Sequence, residues 1–240
     1  SFNQRISEDV NNLNEIKQEV FTLMSGRVKM RRGYYNPTSD AVWLAAMAPR
    51  NVKTVLDVGI GSGGVSLCLW ANNPDAKITG LDTSPQMLDA CRENADLNNV
   101  DIELIQGDIF TFRTNRTFDL VVTNPPYFNG TPARHNAHHN TDLRGWVLRC
   151  IARVRPMGTF CIITDATTVP LVVSAMAQKL GDITIVPLFG ARDTAERVLL
   201  SGRLGTRGVS RMHRGLPMNY EPVLRDGLTI ADILTTLGQK

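Results

Sequence analysis

The residue types best suited to chemistry stand at the end of a short apolar run. Residues 118–123 form a predicted strand that leads directly into Asn124, Pro125, Pro126 and Tyr127. Two prolines cannot continue a sheet ladder because they lack an N–H group and fix φ, and the residue before a proline is held extended. The turn therefore presents an amide, a carbonyl oxygen and an aromatic ring, which together suit a planar amine. Taken alone, the tetrapeptide also fits a plain turn with a packed tyrosine.

A glycine-rich segment follows the first predicted strand of the main domain. Gly59, Gly61 and Gly63 permit a tight turn and let a ligand approach the backbone at a helix N-terminus. With Gly64 in place of Gly63 the segment also satisfies the GxGxxG spacing, so a dinucleotide site is a competing interpretation. Asp82 ends the next strand, where its carboxylate would accept hydrogen bonds from the ribose hydroxyls of either cofactor.

Three further features favour a cofactor with a methionine moiety. Asp57 places a carboxylate beside the glycines, which is unfavourable near a pyrophosphate but favourable near an ammonium group. Asp108 follows the third strand and suits an adenine amine, and the Asn-Pro-Pro-Tyr turn ends the fourth strand, near the expected position of a sulfonium methyl. Ligands of parallel sheets bind at the carboxyl ends of the strands, so groups at consecutive strand ends are expected to share one crevice.

The elements that must position these groups alternate between strands and helices from residue 53 onward. This alternation predicts an α/β fold with a doubly wound, mostly parallel sheet and helices on both faces. Predicted strands cover residues 54–58, 78–81, 102–105, 118–123, 159–164, 183–188 and 197–202. Predicted helices cover residues 61–70, 84–98, 143–154, 169–180 and 228–237, and residues 206–225 are expected to form a loop.

Residues 1–50 are predicted to form an N-terminal extension, a helix, a basic hairpin and a capping helix, ahead of a main domain over residues 51–240. Apolar spacing over residues 8–24 indicates an amphipathic helix. Beyond it, basic residues alternate with apolar ones before a glycine and two tyrosines, which suits a nucleic-acid backbone and stacked bases. A solvated cationic edge strand explains the same alternation equally well.

The motifs at Asp57, Asp82, Asp108 and Asn124 resemble those of the class I S-adenosylmethionine-dependent methyltransferases that modify planar amines. This resemblance implies a Rossmann-like, seven-stranded sheet with an antiparallel last hairpin, and S-adenosylmethionine as the cofactor. The basic stretch near residue 30, the helix start near residue 38 and the strand near residue 197 are similar to those of bacterial tRNA1(Val) adenine-N6 methyltransferases. That group modifies the adenine following the anticodon, so the implied partner is RNA, and specifically tRNA.

The resemblance also implies a role for each matching residue. Cofactor binding is implied for Thr38, Asp57, Gly59, Gly61, Gly63, Asp82, Asp108 and Asn124. Catalysis is implied for Asn124, Pro125, Pro126 and Tyr127, and substrate binding for Lys29, Arg31, Arg32, Tyr127 and Arg134.

Other activities are compatible with the same turn. Methylation of a guanine N2 in ribosomal RNA and of a glutamine in a protein release factor both involve planar amines. A release-factor enzyme is expected to carry a separate N-terminal helical domain, for which residues 1–50 look too short. An NAD-binding oxidoreductase and a non-catalytic RNA-binding module are the alternatives from other classes.

Composition bounds the compartment and the partners. The formal net charge of +3 is too small to establish a nucleic-acid partner. Four scattered cysteines without a CxxC pair predict reduced thiols in a cytoplasmic protein, and no apolar run is long enough to span a bilayer. His135, His138 and His139 follow the turn, but no cysteine or carboxylate cluster accompanies them, so no metal is predicted.

Overall fold

A nine-stranded sheet forms the centre of the molecule. The computed structural model describes residues 19–33, 38–125 and 137–237. The strands are β1 Val20–Leu23, β2 Val28–Arg31, β3 Thr54–Val58, β4 Lys77–Asp82, β5 Ile102–Gln106, β6 Phe118–Thr123, β7 Val154–Asp165, β8 Leu180–Phe189, β9 Arg197–Leu204, β10 Arg211–Met212 and β11 Leu216–Pro217. The helices are α1 Ser39–Met47, α2 Gly64–Asn72, α3 Pro85–Leu97, α4 Ala137–Ile151, α5 Val169–Met176, α6 Glu221–Leu224 and α7 Ile230–Leu237. None of these helices is long and apolar enough to cross a membrane.

The main sheet has the strand order β10-β8-β9-β7-β6-β3-β4-β5, and β11 also pairs with β8. β9 runs antiparallel to β7 and β8, whereas β3 to β7 are parallel to one another. The predicted α/β fold with a mostly parallel sheet is therefore confirmed. The expected count of seven strands was too low because β10 and β11 add to the edge at β8. Each has only two residues, so neither shows an alternation that sequence could reveal.

The N-terminal hairpin corrects part of the helix predicted over residues 8–24. β1 pairs antiparallel with β2, with Val20 opposite Arg31, so the end of the predicted helix is a strand. The turn between the strands contains Gly26 at φ 89° and two further residues with positive φ, a conformation that a right-handed helix cannot continue through. Most of the predicted helix lies outside the described residues.

The segment 59–63, called here the glycine loop, delays the start of α2 beyond its predicted position. Gly61 and Gly63 have φ of +57° and +94°, and positive φ excludes a right-handed helix until Gly64. A β-carbon at Gly63 would lie only 2.8 Å from the Cys91 sulfur, so the loop packs tightly on α3. The loop is mostly buried, and its half-buried glycines, Gly59 and Gly61, present backbone that a ligand can approach closely.

Two hydrophobic cores cover the two faces of the sheet. The pairing register of the strands fixes the level at which they end. Val55 and Leu56 of β3 point into different cores, as alternation along a strand requires. The pairing register sets Val58 beside both Leu81 and Thr123. The carboxyl ends of β3, β4 and β6 therefore end at one level, as predicted for a shared crevice.

Candidate active site

A cavity of about 480 Å³ opens at the carboxyl ends of β3, β4, β5 and β6. Six of the predicted cofactor residues line it, namely Thr38, Gly59, Gly61, Asp82, Asp108 and Asn124. Eight apolar residues that the sequence analysis did not single out also line it, namely Ala41, Val58, Ile60, Val65, Leu81, Met87, Ile109 and Trp146. The cavity is thus largely apolar, with a few polar groups converging from separate strand ends, which is the usual composition of a cofactor site.

Asp82 is fixed at the end of β4 by two backbone donors. The Gly61 N–H donates to Asp82 Oδ2 at 2.8 Å, and the Ser84 N–H donates to Asp82 Oδ1 at 2.9 Å. Each carboxylate oxygen keeps capacity for a further donor. Because Asp82 lines the cavity, it can accept hydrogen bonds from two neighbouring hydroxyls, such as those of a ribose.

Asp108 begins the turn after β5, and one of its two carboxylate oxygens accepts a hydrogen bond there. Its Oδ1 accepts the Phe110 N–H at 2.9 Å, and its Oδ2 accepts no hydrogen bond from the described part of the chain. The residue is exposed and lines the cavity beside the buried Ile109. A carboxylate oxygen next to an apolar wall suits the amine and the ring face of a purine.

Asn124 follows β6 and is held in place through its neighbour. The Thr123 hydroxyl donates to the Val58 carbonyl at 2.9 Å and accepts the Trp146 indole N–H at 3.0 Å. These bonds tie β6 to β3 and to α4, so they fix Asn124 relative to the glycine loop. Asn124 is half-buried and its side chain makes no hydrogen bond within the described ranges, whereas Pro125 is buried.

Trp146 is a site residue that the sequence analysis missed. It is 8% exposed, lines the cavity and meets the Phe110 ring edge-on, with 6.3 Å between ring centroids. Its hydrogen bond to Thr123 spans 23 residues of sequence, so no local pattern reveals it. The available signal was the residue type, because a buried indole N–H needs an acceptor.

Asp57 lies behind the cavity rather than in its wall. The residue is 1% exposed, and its carboxylate accepts a hydrogen bond from the Ser66 hydroxyl at 2.7 Å. Burial raises the pKa of Asp57 to about 7; the Ser66 hydrogen bond opposes this shift and the charge of Asp82 adds to it. Its charge therefore responds to any cation placed in the crevice near neutral pH. Gly63, also expected to bind the cofactor, does not line the cavity either.

The basic hairpin residues face solvent, yet most of their charge already has a partner. Lys29 and Arg31 are exposed along β2. The Arg31 guanidinium lies 3.7 and 3.8 Å from the carboxylates of two glutamates, and the Arg32 guanidinium lies 5.7 Å from the centroid of the Phe21 ring. The predicted cationic face exists, but its two arginines are engaged within the protein.

Two asparagines, one in α3 and one at its C-terminal cap, attach this hairpin to the helix. Asn98 exchanges two hydrogen bonds with the backbone of Lys29, at 2.8 and 2.7 Å, as a paired strand would. One turn earlier, the buried Asn94 accepts the Arg31 N–H at 2.8 Å and donates to the Ser62 carbonyl at 2.9 Å. A single side chain therefore links β2 to the loop that lines the cavity.

Several predicted residues lie outside the described part of the chain. These are Pro126, Tyr127 and Arg134. His135 also lies outside it, and the side chains of His138 and His139 are not described. The roles of the turn beyond Pro125 and the expected absence of a metal stay predictions.

Comparison with known proteins identifies the family. Residues 38–186 match the family described as "Methyltransferase small domain". A tRNA1(Val) (adenine(37)-N6)-methyltransferase of Glaesserella parasuis is 35% identical over 101 residues, covering 41% of this chain and 43% of that protein. A release factor glutamine methyltransferase of Deinococcus radiodurans is 34% identical over 115 residues, covering 45% of this chain and 41% of that protein. The chain thus spans less than half the length of these two relatives.

A solved structure shares the fold. The predicted O-methyltransferase of Agrobacterium tumefaciens superposes with a TM-score of 0.66 at 19% identity, covering 79% of this chain and 97% of that one. The family match extends from Thr38 through the glycine loop to β8 and includes every described residue that lines the cavity. The chain therefore belongs, as predicted, to a family of methyltransferases, the methyltransferase small domain family.

Proposed function

We propose that this enzyme methylates the exocyclic N6 amine of an adenine in tRNA, at the position following the anticodon. The observation that carries the proposal is the location of Asn124, whose amide shares one cavity with Asp82 and Asp108. Its side chain makes no hydrogen bond with the described residues, so its oxygen can accept one from a planar amine.

The polar groups of the cavity fit S-adenosylmethionine. Asp82 would accept the ribose hydroxyls, and Asp108 would accept the adenine amine. The glycine loop would approach the methionine portion, with Asp57 behind it balancing the ammonium charge. The bound cofactor supplies a methyl group made electrophilic by the adjacent sulfonium.

The residues after β6 would then orient the acceptor amine. The Asn124 side-chain oxygen and the Pro125 carbonyl accept its two N–H bonds, which withdraws the nitrogen lone pair from conjugation and directs it at the methyl group. Tyr127 would stack on the base, a contact worth about 1–3 kcal/mol in other stacked bases. The methylated nitrogen then releases one proton to solvent. No side-chain general base is required for this, because the proton becomes acidic on transfer and positioning can supply most of the rate. The target base must be splayed from its loop to enter the cavity.

The choice of tRNA is tested by offering three acceptors in parallel. The two relatives match with similar identity and are named for different substrates, so the assay uses unmodified tRNA, ribosomal RNA and a release factor with labelled S-adenosylmethionine. Digestion to nucleosides should place the label in N6-methyladenosine from tRNA. Label confined to guanosine of ribosomal RNA, or to a glutamine of the release factor, would overturn the substrate assignment.

A further inference from the structure

An unusual surface runs along the edge of the sheet at β10, far from the cavity. We define the arginine edge as residues 203–214, which carry Arg203, Arg207, Arg211 and Arg214. No aspartate or glutamate occurs anywhere from residue 197 to residue 220. One carboxylate from outside the segment reaches it, that of Asp182, which accepts a hydrogen bond from the Thr206 hydroxyl. Four guanidinium groups against this one carboxylate form a cationic surface that attracts an anionic partner, even though the net charge of the whole chain is small.

Three of the four arginines of this edge keep their guanidinium groups available to a partner. Arg207, Arg211 and Arg214 are exposed and make no ion pair or side-chain hydrogen bond with the described part of the chain. The hairpin differs, because Arg31 lies beside two glutamates and Arg32 lies over an aromatic ring. Compared with the hairpin, the arginine edge therefore offers more guanidinium groups that a partner can bind.

Apolar side chains are exposed at the same place. The large hydrophobic residues that stand out as exposed in the described ranges are Met157 at 50%, Val209 at 72% and Met212 at 71%. Val209 and Met212 lie between arginines of the edge. Met157 adjoins it, because its carbonyl accepts a hydrogen bond from Arg203. Arginine interleaved with exposed apolar groups matches a surface that contacts both phosphates and the faces of sugars or bases.

We propose that the arginine edge binds the phosphate backbone of structured RNA that flanks the methylated nucleotide. The identity of that RNA rests on the proposed function. β10 is four strand positions from β6, which is about 19 Å across the sheet at the usual strand spacing. The edge therefore cannot touch the target base itself, and it selects for a substrate that extends well beyond a short loop.

Charge complementarity favours RNA over a second copy of this chain. A two-fold interface at this edge would place the same arginines opposite one another, with no acidic residue of the segment to balance them. Phosphate oxygens instead offer the paired acceptors that a guanidinium group recognises.

The test compares two triple variants with equal loss of charge. The first changes Arg207, Arg211 and Arg214 to Gln. The control changes Arg50, Arg92 and Arg225 to Gln, because each is exposed and already paired with a carboxylate. For each variant, tRNA affinity is measured across salt concentrations, and methyl transfer is measured on tRNA and on a short loop oligonucleotide.

The edge variant should reduce the magnitude of the slope of log affinity against log salt by about 2, because each of its three lost phosphate contacts contributes about 0.7–0.9 to that slope. Its KM for tRNA should rise about tenfold or more, while its kcat and its activity on the short loop stay at the wild-type value. Equal effects of both triple variants, or no change in the edge variant, would overturn the proposal. A wild-type enzyme that binds tRNA through this edge without methylating it would instead overturn the proposed function and leave the binding surface standing.

Discussion

Replacing Asp57 by Asn should stabilise the ligand-free protein at alkaline pH while weakening cofactor binding. The Asp57 carboxyl is buried and its pKa is raised from 3.8 to about 7. A raised pKa means that the folded state holds this proton more tightly than the unfolded chain does. The contribution of Asp57 to stability is therefore fully present below pH 3.8 and is lost as pH rises through about 7.

The size of the effect follows from the pKa difference. A shift of roughly 3 pH units corresponds to about 4 kcal/mol of lost stability once both states are ionised. The asparagine avoids this loss and keeps an acceptor for Ser66, but it buries an amide N–H pair at a cost of about 1–3 kcal/mol. At about pH 8 the variant should therefore unfold with a free energy higher by about 1–3 kcal/mol.

The assay is urea unfolding of both proteins at about pH 5 and about pH 8, where the difference between variant and wild type should grow by about 2–3 kcal/mol. Taking the difference cancels the other titrating groups, including Asp232, whose lowered pKa acts in the opposite direction at acid pH. Asp101→Asn is the control for a change of charge at an exposed site. A difference that stays constant with pH, or that shrinks toward pH 8, would refute the reasoning.

Two further predictions concern the same crevice. S-adenosylmethionine should bind up to about tenfold more tightly at about pH 8 than at about pH 6, because its cationic groups favour ionised Asp57. Calorimetric titration of the wild-type protein should show this trend. The same trend in the Asp57→Asn variant would contradict the role of Asp57. Asn94→Ala should lower the free energy of unfolding by about 2–3 kcal/mol, since two hydrogen bonds are lost, and should also raise the cofactor Kd. Asn98→Ala is its matched control, since Asn98 contacts the hairpin but not the glycine loop, and equal loss of cofactor affinity in both variants would argue against the link through Ser62.

The site residues at strand ends were predictable because a parallel sheet brings the ends of its strands to one edge. In a parallel sheet, a polar residue that ends an apolar strand or follows it within two residues must emerge at the carboxyl edge. Asp82, Asp108 and Asn124 all satisfy this condition, and all three line the cavity. No contact between distant elements had to be known in advance.

Trp146 and Asn94 could not be found in this way. Each reaches the site from a helix through a hydrogen bond that spans 23 or 32 residues, and both occupy positions typical of packing residues in their helices. The prediction that the N-terminal helix extends through residues 20–23 was wrong for a related reason. β1 exists because β2 pairs with it, and its four residues fit a helical apolar spacing equally well.

Asn124→Ala tests most directly whether Asn124 acts on the acceptor amine rather than on the cofactor. We would measure single-turnover methyl transfer to tRNA and, separately, the Kd for S-adenosylmethionine. Transfer should fall by about 10²-fold or more, by analogy with the loss of one well-placed hydrogen-bonding group, while the Kd changes by no more than about twofold. Loss of cofactor affinity in parallel with transfer would contradict the account.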